Sequence, residues 1–187
     1  MCLGKLVLIT GGARSGKSSY AERLAAGEGE NVLYIATAVP FDDEMKLRVE
    51  MHRARRPREW QTIEAYKGFD KIIEKNCRGK SAVLLDCITI MITNIIMDNG
   101  PDWQSISAER ILSIEECIEA EIDSLVSIAR REEPLFAVVT NEVGMGLVPE
   151  YPLARAFRDI AGRINQKLAR AADEVYLCVC GIPVRIK

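Results

Sequence analysis

Short apolar runs alternate with longer amphipathic stretches along the whole chain. The runs "KLVLIT" (5–10), "NVLYIAT" (31–37), "AVLLD" (82–86), "LFAVVT" (135–140) and "EVYLCVC" (174–180) are mostly apolar throughout. Parallel strands covered on both faces read this way, because neither face can carry charge. "WQTIE" (60–64) is a weaker strand. "IPVRIK" (182–187) follows Gly181 and is predicted to fold back as an antiparallel partner of 174–180. Pro183 suits an edge, where its missing N–H breaks no inner ladder.

Helices are predicted at 17–28, 41–55, 68–77, 87–98, 107–131 and 151–172. The last places Leu153, Phe157, Ile160, Ile164 and Leu168 on one stripe. The helix at 107–131 does the same with Ile111, Ile114, Ile118, Ile122 and Leu125, so both present core-packing faces. The stretch 87–98 is apolar on most sides, which fits either deep burial or a subunit interface. "DNGPDW" (98–103) reads as a turn. Alternating strand and helix signals mean an α/β fold with a mainly parallel sheet flanked by helices and an antiparallel C-terminal edge hairpin. The 187 residues suit a single domain, 1–187, with a full core.

Composition narrows the picture. A net charge of -2 argues against a protein built to coat nucleic acid or an anionic membrane, so any basic cluster is local. Six cysteines include no C-x-x-C pair. Cys178 and Cys180, alternate residues of one strand, read as two buried thiols in preference to a redox or metal pair. Reduced cysteines suit a cytoplasmic protein. The longest apolar stretch, 87–96, is too short for a membrane span, and the N-terminus carries no signal-peptide pattern.

Chemistry enters with "LITGGARSGKSSYAERL". Gly11-x-x-x-x-Gly16-Lys17-Ser18 is a P-loop pattern, and it lies between an apolar strand and a helix, as the mechanism requires. Glycines let successive N–H groups turn toward a phosphate, and the helix N-terminus adds its positive end. Lys17 reaches the β- and γ-phosphates, and the Ser18 hydroxyl ligates Mg²⁺. Asp86 ends the run "AVLLD" and fits a second metal anchor, or else a cap for the helix behind it. Glu142, just past "LFAVVT", fits a group orienting water, a substrate hydroxyl or the metal, or else a solvated loop carboxylate.

The sole histidine, His52, stands in "MHRARRPREW" beside Arg53, Arg55, Arg56 and Arg58. At helical spacing Glu44, Arg48, His52 and Arg55 or Arg56 share a stripe. Neighbouring guanidinium groups disfavour a charged imidazole, and a neutral imidazole is a nucleophile. The arginines can also grip phosphates. Three readings stay open on these residues: a phosphorus-attacking histidine in an anion pocket, an arginine-rich surface helix, and a nucleic-acid patch.

Taken together, "TGGARSGKS", "VLYIAT" with "DDEM" after it, "HRARRP", "LLDCIT" with "TN", "VTNEVGMGLVPE" and "AGRINQKLARAADEVYL" resemble the bifunctional adenosylcobinamide kinase / adenosylcobinamide-phosphate guanylyltransferase family over essentially the whole chain. The resemblance implies a RecA-like P-loop fold, GTP and ATP as substrates with Mg²⁺, and adenosylcobinamide and its phosphate as partners. It implies a homo-oligomer, trimers included; the net charge of -2 argues that no nucleic acid is bound. The resemblance makes His52 the carrier of a covalent GMP. Nucleotide contacts fall on Gly11, Gly12, Ala13, Arg14, Ser15, Gly16, Lys17, Ser18, Ala36, Thr37, Ala38, Arg53, Ala54, Arg55, Arg56, Glu64 and Asp86. Some members carry Glu where this chain has Asp86.

Overall fold

The computed structural model of the chain describes residues 4–39, 43, 53, 56–99 and 106–187. Seven strands form one sheet: β1 (Leu6–Gly11), β2 (Val32–Ala36), β3 (Gln61–Glu64), β4 (Ala82–Asp86), β5 (Leu135–Val139), β6 (Glu174–Val179) and β7 (Ile182–Arg185). Five helices are described: α1 (Lys17–Gly27), α2 (Phe69–Asn76), α3 (Ile88–Asp98), α4 (Ala108–Arg131) and α5 (Pro152–Ala171). The strand order is β3-β2-β4-β5-β1-β6-β7. All neighbours are parallel except β6 and β7, which form the antiparallel edge hairpin expected from Gly181 and Pro183. Apart from Asp43 and Arg53, the helix expected at 41–55 lies outside the described residues.

The strands alternate between two cores, with the period of two that a strand imposes. Leu6, Leu8, Leu33, Ile35, Val83, Leu85, Phe136 and Val138 face α2–α5. Val7, Ile9, Tyr34, Ala36, Leu84, Ala137 and Val139 face the other way, toward Ala21 and Ala25 of α1 and the ring of Trp60. Helix α3 is covered by this chain itself, with Ile88, Met91, Ile92, Ile95 and Ile96 all buried; of its two readings, burial holds. Helix α4 starts where Ser107 accepts a hydrogen bond from Arg110 N, and α5 starts on Pro152, whose ring needs no N–H partner there. Among the described residues, no helix is long and apolar enough to cross a membrane.

Candidate active site

The parallel strands all present their carboxyl ends to one side, where ligands of open α/β sheets bind. Each described candidate lies along that edge. The loop Gly11–Ser18 follows β1, Ala36 to Ala38 follow from the end of β2, Glu64 ends β3, Asp86 ends β4, and Glu142 follows β5. Strand β5 separates β1 from β4. Two strand spacings, roughly 10 Å, therefore divide the glycine loop from Asp86, and Glu142 comes off the strand between them.

The loop conformation requires its glycines. Gly11 has φ 147°, and a Cβ there would stand 2.4 Å from the Cys178 carbonyl oxygen. Gly16 has φ 93° and leads into α1, and its Cβ would lie 2.9 Å from Gly181 Cα. The loop is clamped from both sides. Gly181 N donates to the Ser15 carbonyl (2.9 Å), and Glu142 N donates to the Gly11 carbonyl (3.0 Å). Lys17 is buried, and its ammonium donates to the Gly12 carbonyl at 2.6 Å. Burial holds its pKa below the usual lysine value, and the charges of Cys87 and Asp86 offset part of that. Ser15 Oγ is buried with no hydrogen-bond partner among the described residues. It is a free hydroxyl inside a loop shaped for an anion.

Asp86 is held by a partner the sequence did not announce. The hydroxyl of buried Tyr34 donates to Asp86 Oδ2 at 3.0 Å. Burial, reinforced by the Asp86 charge, drives the Tyr34 pKa far above its ordinary value, so the phenol stays a donor. Helix α3 begins at Ile88 behind Cys87 as its N-cap residue, with no side-chain cap, so Asp86 does not serve as the cap. Ser18 and Asp86 offer a hydroxyl and a carboxylate, hard oxygen donors of the kind Mg²⁺ takes, and so fit that ion.

The arginine stretch converges on the same edge. Arg56 Cζ lies 3.5 Å from the centroid of the Tyr34 ring, the ring whose hydroxyl holds Asp86. Arg53 Nη2 pairs with Glu64 Oε1 at 2.5 Å, joining two expected nucleotide contacts from separate parts of the chain. Next to them, an open recess of about 350 Å³ is lined by Ala36, Ala38, Glu64, Tyr66 and Lys67, among others. His52, Ala54 and Arg55 lie outside the described residues.

One expectation is corrected. Cys178 is buried, but Cys180 is exposed, because it has left the strand for the hairpin turn at φ 52°. The sequence reading also missed Tyr34. A tyrosine in "VLYIA" passes for core, and its being the only hydroxyl in that run was the available signal. The Thr37 side chain, at an expected nucleotide contact, exchanges hydrogen bonds with the Cys87 backbone, donating to the carbonyl (2.7 Å) and accepting from the N–H (2.8 Å).

A glycine loop between β1 and α1, a buried lysine at its end and an aspartate two strands away define a P-loop nucleotide-binding protein. Residues 7–186 match the family described as cobinamide kinase / cobinamide phosphate guanyltransferase, and the chain belongs to it. It is 50% identical over 182 residues to the bifunctional adenosylcobalamin biosynthesis protein CobU of Escherichia coli, covering 97% of this chain and 99% of that one. It is 48% identical over 187 residues to the protein of the same name from Salmonella typhimurium, covering 97% and 99%. The bifunctional adenosylcobalamin biosynthesis protein CobP of Pseudomonas aeruginosa is 38% identical over 180 residues, with 96% of each chain covered.

Proposed function

We propose that this chain, working as one catalytic domain, phosphorylates adenosylcobinamide and then transfers GMP from GTP to adenosylcobinamide phosphate. The products are adenosyl-GDP-cobinamide and pyrophosphate. Family membership supports the pair of activities, and the observation that carries the mechanism is the link from Arg56 through Tyr34 to Asp86. It ties the arginine stretch beside His52 to the acidic residue that faces the phosphate loop.

In the kinase step, the loop from Gly11 to Ser18 cradles the β- and γ-phosphates of GTP or ATP, and Lys17 swings from the Gly12 carbonyl onto them. Ser18 and Asp86 would hold Mg²⁺, which screens phosphate charge when bound. Glu142 accepts the proton of the aminopropanol hydroxyl. The freed oxygen attacks the γ-phosphorus, and the bond to the β-phosphate oxygen breaks with release of the nucleoside diphosphate.

In the guanylyl step, a neutral His52 nitrogen attacks the α-phosphorus of a GTP held near Ala36, Thr37, Ala38 and Glu64, and pyrophosphate leaves. Arg53, Arg55 and Arg56 offset the charge that develops at phosphorus. A phosphate oxygen of adenosylcobinamide phosphate then attacks the same phosphorus. The phosphorus–nitrogen bond breaks, and the imidazole is free again. The fold suits two such steps, because the recess beyond β2 and β3 and the loop beyond β1 stand at one sheet edge.

Product analysis tests the reading. Protein incubated with adenosylcobinamide, GTP and Mg²⁺ should yield GDP, pyrophosphate and a corrinoid that carries GMP. A corrinoid that stops at the monophosphate, with no pyrophosphate, would leave a small-metabolite kinase.

A further inference from the structure

A chain of side-chain hydrogen bonds runs beneath the candidate site, one residue beyond the ends of three adjacent strands. Thr37 follows β2, Cys87 follows β4 and Thr140 follows β5. Thr37 grips the Cys87 backbone, and Cys87 Sγ meets Thr89 Oγ1 at 3.4 Å. Thr89 Oγ1 accepts from both Asn141 N (2.9 Å) and Asn141 Nδ2 (2.8 Å). Asn165 Nδ2 donates to the Asn141 carbonyl (3.0 Å), and Thr140 Oγ1 donates to Asn165 Oδ1 (2.7 Å). At the other end, Asn94 Nδ2 donates to the Thr37 carbonyl (2.7 Å).

Two helices thus send one amide each to two different strand exits. Asn165 of α5 binds Thr140 through its oxygen and Asn141 through its nitrogen, immediately before Glu142. Glu142 N is itself fixed on Gly11 of the phosphate loop. Asn94 of α3 binds Thr37, between Ala36 and Ala38 of the recess. Packing alone does not explain Asn94. It is 1% exposed among the buried apolar residues Met91, Ile92, Ile95 and Ile96 of α3, and its Oδ1 has no hydrogen-bond partner among the described residues. A half-satisfied buried amide costs stability where leucine or isoleucine would not.

We propose that Asn165 and Asn94 are positioning residues for separate half-reactions. Asn165 sets the Thr140–Glu142 segment against the phosphate loop for phosphoryl transfer. Asn94 sets the Thr37 exit of β2 for guanylyl transfer. The inference rests on the two-step reading above, and displaced loops lose reacting geometry before they lose fold.

The test measures both half-reactions on the full chain. One is γ-phosphoryl transfer from GTP to adenosylcobinamide. The other is incorporation of GTP label from the α-phosphorus into protein. Asn165→Ala and the isosteric Thr140→Val should each lower kcat of phosphoryl transfer about tenfold or more, with nucleotide KM and the labelling rate within about twofold. Asn94→Leu keeps the branched heavy-atom skeleton of the side chain and buries no new polar group, so folding should survive. It should lower the labelling rate about tenfold while phosphoryl transfer stays within about twofold. Losses of equal size in both half-reactions, or no loss in either, would overturn the inference. A wild-type chain inactive in one half-reaction would instead overturn the functional reading beneath it.

Discussion

The guanidinium of Arg56 stands 3.5 Å over the ring of Tyr34, face to cation. The same ring points its hydroxyl at Asp86. One aromatic side chain therefore fixes a cation expected at the transferred phosphorus and an anion expected at the metal. A planar guanidinium suits this place better than an ammonium, because it stacks on the ring and still points donors outward.

Arg56→Lys should slow guanylyl transfer about tenfold and leave phosphoryl transfer less affected, since the loop from Gly11 to Ser18 does not depend on the stack. Tyr34→Phe should show the reverse preference. It keeps the ring beneath Arg56 and removes only the donor to Asp86, at about 1.5–3 kcal/mol for a hydrogen bond to a charged group. Steady-state rates of both half-reactions on the two variants check this crossing pattern.

Burying Lys17 costs stability while its ammonium stays charged. Burial disfavours its charged form, so the folded chain releases this proton at lower pH than the unfolded chain, whose lysine titrates near 10.5. The unfolded state then holds more protons across that window, and stability contributed by this site rises with pH through it. Lys17→Met should abolish phosphoryl transfer. At neutral pH it should raise the melting temperature by about 2–4 °C, the equivalent of ~1 kcal/mol, and flatten the rise in stability toward alkaline pH. Thermal melts from pH 7 to 10 on both proteins measure each effect.

Gly11→Ala places a methyl group against the Cys178 carbonyl and forces a left-handed backbone on a residue with a Cβ. A loss of about 1–3 kcal/mol from backbone strain alone is expected, with nucleotide binding lost as the loop is displaced. Gly12→Ala is the control, because nothing lies within 4 Å of a Cβ there. Denaturant unfolding and GTP titration of the pair separate strain from simple loss of glycine.

Arg163, in the stretch "GRINQ", forms two parallel bonds to Glu115, with Nε at 2.5 Å and Nη2 at 2.8 Å. Glu115 is buried, whereas the Arg163 side chain is 52% exposed. Arg163→Ala should cost about 2 kcal/mol, less than for a fully buried pair, by stranding the carboxylate between α4 and α5. Replacing both, Arg163→Met with Glu115→Leu, should recover most of that loss. A double-mutant cycle by urea unfolding gives the coupling directly.

The parts of this fold that were legible in the sequence are those set by local chemistry. Burial on both faces leaves runs such as "VLYIA" and "AVLLD" without charge, and Pro183 marked the edge. The glycine loop was legible because its backbone geometry excludes side chains at Gly11 and Gly16. What was not legible depends on contacts distant in sequence. Nothing local states that β5 stands between β1 and β4, which decides that the segment carrying Glu142 leaves the sheet between the phosphate loop and Asp86. The contacts of Tyr34, Asn94 and Asn165 depend on partners 52, 57 and 25 residues away, which no local pattern states. The pairing of Arg53 with Glu64 was hidden for the same reason.

On the proposed mechanism, His52 carries the guanylyl group. Protein is incubated with Mg²⁺ and GTP labelled at the α-phosphorus, denatured, and assayed for label on the chain, with His52→Ala in parallel. Acid-labile, alkali-stable label on the wild type alone is the expected result, as a phosphorus–nitrogen bond at the single imidazole requires. A folded wild type that binds GTP and takes up no label, or a His52→Ala chain labelled equally well, would contradict it.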